Sequence, residues 1–116
     1  MIWTLSQVAL GGALGSVLRF LAMSVVGGPV ATVLVNVAGS LAIGILFVTL
    51  ATRPHLSPLL VTGFLGGFTT FSAFSLDALK LAQTQPLGAL LYIAGSVVLS
   101  LIAVALGAAL ARGALA

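Results

Sequence analysis

Almost nowhere does this chain have charge to show to water. Four long apolar runs follow one another, at about residues 3–23, 30–52, 58–81 and 87–112, with only short polar breaks between them. Each reaches the roughly 20 residues that a helix needs to cross the hydrocarbon of a bilayer. Charged residues make up 4% of the 116, and the mean hydropathy is +1.36. A soluble domain carries about 25% charged residues, so this chain cannot cover a water-facing surface. The expectation is an all-α integral membrane protein. It would be a single four-span domain in the lipid bilayer, multi-pass in the cell (inner or plasma) membrane, with no room for an extramembrane domain. No basic stretch precedes the first run, so a signal peptide is not expected.

The same scarcity excludes several functions. Arg19, Arg53, Lys80 and Arg112 stand against Asp77 alone, too sparse and scattered for a nucleic-acid surface. The absence of cysteine rules out disulfides and thiolate metal sites. One acidic residue and one histidine cannot supply an acid–base pair or a Ser/His/Asp set at membrane depth, so an enzyme is not expected.

The breaks define a topology. Gly27-Gly28-Pro29 marks a turn, and Arg53-Pro54-His55-Leu56-Ser57-Pro58 ends one helix and restarts another. Gln83-Thr84-Gln85-Pro86 is the last turn. His55 is a solvated interfacial residue with no assigned role. Four spans put both termini and the Arg53 loop on one side, with Arg53 and Arg112. The other side is nearest to Arg19 and Lys80. Lysine and arginine bias orients membrane proteins, and two against two leaves no bias. The expectation is a dual-topology chain whose two copies associate as an antiparallel homodimer.

One stretch departs from a plain membrane helix: Gly63-Phe64-Leu65-Gly66-Gly67-Phe68-Thr69-Thr70-Phe71-Ser72-Ala73-Phe74. Its three glycines weaken a helix by about 1 kcal/mol each relative to alanine. Its hydroxyls offer donors and acceptors where the backbone ladder fails. Non-helical backbone at membrane depth is tolerated only where protein buries it or water reaches it. The stretch therefore predicts a third helix broken near its middle, at a functional centre. Phe64, Phe68, Phe71 and Phe74 share one face if the segment is helical, with Thr69, Ser72 and Ser75 in a stripe beside them. Asp77 and Lys80, at i and i+3, can pair at the exit of the span.

Polar residues in the other spans admit two readings each. Gly11 and Gly15 form a G-x-x-x-G pair that lets another helix backbone approach closely. Arg19, about two turns inside its helix end, either snorkels to the interface or faces an aqueous vestibule. Asn36 either glues helices together or donates its amide to a permeating anion. Tyr92, Ser96 and Ser100 recur every four residues. They either bond to local carbonyls or form a polar track.

Among transporters, a small dual-topology proton-coupled multidrug exporter is the rival reading. Such a carrier needs a membrane-embedded carboxylate, and the first span has none. A purely structural subunit explains the glycines but not Asn36 or the aligned hydroxyls. An uncharged, donor-rich, aromatic lining suits an anion pore, because a phenyl ring has a positive edge.

The long stretch from Gly63 to Phe74 resembles the third-helix signature of the Fluc (CrcB) fluoride channels. The likeness extends to Gly11-Gly12-Ala13-Leu14-Gly15-Ser16-Val17-Leu18-Arg19 and to Val35-Asn36-Val37-Ala38-Gly39-Ser40, and so to essentially the whole chain. It implies a fluoride-selective channel that passively exports fluoride and lowers its cytoplasmic level, working as an antiparallel homodimer with two pores. It makes Phe71 and Phe74 the pore phenylalanines and Asn36 the pore asparagine. Thr70 and Ser72 fall in the polar wall, and Tyr92, Ser96 and Ser100 in a fourth-helix track. Arg19 becomes the vestibule arginine. Gly66 and Thr69 match positions whose backbone carbonyls hold a structural Na+ at the dimer interface. Ala73 stands where many members carry threonine or serine, so one wall hydroxyl is missing.

Overall fold

The computed structural model describes residues 1–116 and is helical from end to end. Helix α1 covers Ile2–Val26 and α2 Gly28–Thr49, the latter continued by a 3-10 turn at Leu50–Thr52. A second 3-10 turn, Pro54–Leu56, leads into a π-helical segment at Pro58–Leu65. Then come α3 (Gly66–Phe68), α4 (Phe71–Thr84) and α5 (Pro86–Leu115). Four of these stretches are long and apolar enough to cross a membrane: Ile2–Val26, Gly28–Thr52, Pro54–Thr84 and Pro86–Leu115. All reach closer to the turns than the polar breaks had indicated. The molecule measures 47 × 34 × 23 Å, and its long axis matches the roughly 40–45 Å of a bilayer with its headgroups.

The turns follow from their residues. Gly27 and Gly28 have φ of 74° and 67°, left-handed values that side chains with a Cβ resist. Pro86 opens α5 at the first helical position, where its missing N–H costs no helical bond.

Only 15 of 116 residues are buried, and nearly all of them are small. Burial here comes from helix backbones in contact, which lipid-embedded helices achieve with glycine and alanine. Along α1, a Cβ at Gly11 would overlap the Leu59 carbonyl oxygen, and one at Gly15 that of Phe64. The G-x-x-x-G face of α1 therefore lies directly against the third span. The second close pair is α2 with α5, where a Cβ at Gly44 would overlap the Val104 carbonyl and one at Gly107 that of Leu41. Large side chains point outward; Phe20 and Phe47 are each 69% exposed, as suits a lipid-facing surface.

The third span differs from a continuous helix in two places. Its first half is π-helical, a form that is rare and frequently found at functional sites. Thr69 and Thr70 then take extended angles, φ/ψ −85°/157° and −150°/115°. The phenylalanines consequently do not form one stripe. Phe64 and Phe68 stack with ring centroids 6.1 Å apart, while Phe71 and Phe74 form a separate tilted pair at 5.4 Å.

Candidate functional site

The site is built where α2, the Thr69–Thr70 link and α5 meet. Asn36, in the third turn of α2, reaches across to Thr70. Its Nδ2 donates to the Thr70 carbonyl (3.0 Å), and its Oδ1 accepts from the Thr70 N–H (2.8 Å). Two opposite bonds to one peptide fix the amide's orientation. Thr70 also caps α4, its Oγ1 accepting from the Ala73 N–H at 3.1 Å.

These two contacts divert amides that a helix would use otherwise. In an unbroken helix the Thr70 N–H would bond to the Gly66 carbonyl and the Ala73 N–H to that of Thr69. Here both are engaged elsewhere. The carbonyls of Gly66 and Thr69 are thus left without those helical partners, and carbonyl oxygens are ligands for a hard cation.

A cavity of ≈ 440 Å³ opens on this junction, and its wall carries no charged residue. Six of the eight residues expected to line a pore lie on it: Asn36, Thr70, Phe71, Phe74, Ser96 and Ser100. Gly66 and Thr69 border it too. The other two pore candidates stand beside it. Ser72 Oγ is 3.2 Å from Thr70 Oγ1, and Tyr92 stacks on Phe74 with centroids 5.4 Å apart. Ser96 Oγ is buried and has no hydrogen-bond partner in the chain. A hydroxyl left so in an apolar setting costs free energy. Phe71 is 78% exposed, so one side of the cavity lacks a wall within a single chain.

Other expectations are corrected. The polar stripe of the third span is mostly turned back on its own backbone: Thr69 Oγ1 donates to the Leu65 carbonyl and Ser75 Oγ to that of Phe71. Asp77 does not pair with Lys80. Its Oδ2 accepts from Thr32 Oγ1 (2.6 Å) and from Tyr92 Oη (3.1 Å). The helix packing puts both hydroxyls closer to the carboxylate than the flexible lysine, and through Tyr92 the carboxylate adjoins the aromatic cluster. Arg19 does not border the cavity. Its Nε donates to the Gly67 carbonyl at 3.0 Å, at the end of the helical run where unpaired carbonyls favour a cation.

Two polar contributors have no role assigned from the sequence. Ser40 lines the cavity and Thr32 holds Asp77. With Asn36 they form a line at every fourth residue of α2, the same signal that singled out Tyr92, Ser96 and Ser100.

Known sequences resemble this chain along almost its whole length. Residues 6–108 match the family described as CrcB-like protein, Camphor Resistance (CrcB). A protein of Paracoccus denitrificans (strain Pd 1222), named fluoride-specific ion channel FluC, is 50% identical over 119 residues, covering 95% of either chain. One of the same name from Cereibacter sphaeroides (strain ATCC 17029 / ATH 2.4.9) is also 50% identical, covering 97% of this chain and 98% of its own. A third, from Ruegeria sp. (strain TM1040), is 48% identical and covers 99% of both. Similarity this extensive, over nearly the whole chain, makes it a member of the CrcB family.

Proposed function

We propose that this protein is a fluoride-selective channel that passively exports fluoride across the cell membrane, and that it works as an antiparallel dimer of two copies. One observation carries the reading: an uncharged cavity whose wall combines amide and hydroxyl donors with the Phe71–Phe74 pair. Fluoride is small and strongly hydrated, so a pore must replace its water with donors. Asn36 has one amide hydrogen left after its bond to Thr70, and Ser96 Oγ has no partner at all. The positive edges of the two rings add to this. The names of the relatives in Paracoccus, Cereibacter and Ruegeria support fluoride as the ion. The proton-coupled exporter has no counterpart among these relatives.

The dimer reading is supported by the exposure of Phe71 and by the balanced flanking charge. In it, the second copy closes the open side of the cavity, and the interrupted third span is the functional centre. Gly66 and Thr69 would each offer a carbonyl to Na+ at the dimer axis, four oxygens from two copies. Bound there, Na+ would tie the two interrupted spans together. Arg19, with guanidinium nitrogens left over beyond its bond to Gly67, serves the vestibule. No energy source is required, because an inside-negative potential drives an anion outward by about 2.3 kcal/mol per 100 mV.

The test is fluoride efflux from liposomes containing the purified protein, with chloride as control. Fluoride efflux with little chloride efflux is expected. No fluoride flux, or equal flux of both ions, would sink the reading.

A further inference from the structure

The cavity beside Phe71 is not the end of the groove. A second one, of ≈ 590 Å³, lies beside it and shares Ile43 and Val61 with it. It runs between α2, the start of the third span and the last turns of α5, toward the side that carries Arg53 and the chain termini. Its wall is apolar except for Ser57 and Arg112. At about 30 Å³ per water, it has room for roughly 20 waters, so an ion within it keeps its hydration.

The four cations of the chain are placed very differently. Arg19 is held by the Gly67 carbonyl. Arg53, Lys80 and Arg112 are all exposed, and Arg53 and Lys80 border neither cavity. Arg112 alone lines the groove, and it makes no hydrogen bond or ion pair within the chain. An unpaired cation at the open end of an apolar groove raises the local anion concentration there.

We propose that Arg112 is the anion-attracting residue at one mouth of the permeation path, with the groove from Arg112 through Ile43 and Val61 to Phe71 as its water-filled vestibule. The inference rests on the channel reading above and adds a second cation, at a different place from Arg19. It acts on the ion's arrival, so it shapes flux at low ionic strength and low fluoride more than the maximal flux.

The chain has no cysteine, so Arg112→Cys introduces a unique thiol. The variant, in fluoride-loaded liposomes, is labelled with a sulfonate-bearing and, separately, a trimethylammonium-bearing thiosulfonate, and labelling is checked by mass. The cationic adduct should restore flux toward wild type. The anionic adduct should leave it lower by about fivefold or more, the Coulomb factor for one unit charge about 4 Å away in water. The difference should collapse at high salt. Equal flux from both adducts, or no labelling in the membrane, overturns the role of Arg112 while wild-type flux persists. Absence of fluoride flux from the wild type overturns the channel reading itself, and this inference with it.

Discussion

Asn36 grips the peptide of Thr70 from both sides, donating to its carbonyl at 3.0 Å and accepting from its N–H at 2.8 Å. The grip stands in for the helical bond that the extended link gives up, and it leaves a side-chain amide on the cavity wall. Each bond contributes about 0.5–1.5 kcal/mol, and a buried group left unsatisfied costs about 1–3 kcal/mol. Asn36→Ala is therefore expected to destabilise the protein by about 2–3 kcal/mol and to abolish most fluoride flux. Asn36→Asp keeps the acceptor for Thr70 and should fold better than the alanine variant, yet conduct no better, because it adds a negative charge where an anion must pass. Thermal unfolding in detergent and liposome efflux check both; an alanine variant as stable as wild type would contradict the grip.

Phe71 and Phe74 differ in what holds them. Phe71 is 78% exposed, whereas Phe74 packs on both Phe71 and Tyr92. Phe71→Ile should change the stability of the isolated chain by less than about 0.5 kcal/mol, and Phe74→Ile should cost about 1 kcal/mol. Both should reduce fluoride flux, by roughly threefold to tenfold if a ring edge contributes about 0.5–1.5 kcal/mol to the passing ion. Wild-type flux from both variants would return the pair to ordinary packing.

Neighbouring glycines of α1 make a sharp comparison. A Cβ at Gly11 would overlap the Leu59 carbonyl oxygen, while one at Gly12 would sit 3.8 Å from its nearest neighbour. Gly11→Ala must push α1 away from the third span, at about 1–3 kcal/mol. Gly12→Ala is expected to be neutral or slightly stabilising, since alanine is the better helix former. The yield of monodisperse protein on gel filtration should separate them.

Thr32 is 1% exposed and donates to Asp77 at 2.6 Å. Thr32→Val keeps the shape and removes the hydroxyl, leaving the carboxylate with Tyr92 as its one recorded donor. A loss of about 1–3 kcal/mol is expected. The double variant Thr32→Val with Asp77→Ala should lose less than the sum of the two single changes, the mark of a direct interaction. Additive losses would show that the contact is energetically idle.

If the carbonyls of Gly66 and Thr69 hold Na+, replacing sodium by a bulky organic cation on both sides of the membrane should lower fluoride flux. Returning sodium should restore it. Flux indifferent to sodium would remove the ion from the account.

Much of this architecture is legible along the chain because membranes impose strong local rules. Four apolar runs, the Gly27-Gly28 turn and the glycine face of α1 each depend on a short window of residues. So does the disturbance at Thr69-Thr70, where weak helix formers and hydroxyls coincide. The cavity wall was partly legible too, since Ser96 and Ser100 share a face by spacing alone. The matching line of Thr32, Asn36 and Ser40 obeys the same rule and could have been found by it.

Other features depend on partners that no window contains. Asp77 stands three residues from Lys80, yet it bonds to Thr32, 45 residues away, and Tyr92, 15 away. The phenylalanines recur at helical spacing, but the extended link at Thr69 and Thr70 divides them into two pairs facing different neighbours. The sequence by itself determined that this chain has four helices long and apolar enough to cross a membrane, with glycine where backbones touch. The tertiary structure alone decided which polar groups meet. Helical spacing tells which side chains share a face, but the rotation and depth of each helix are set by how the glycine surfaces interlock across the bundle.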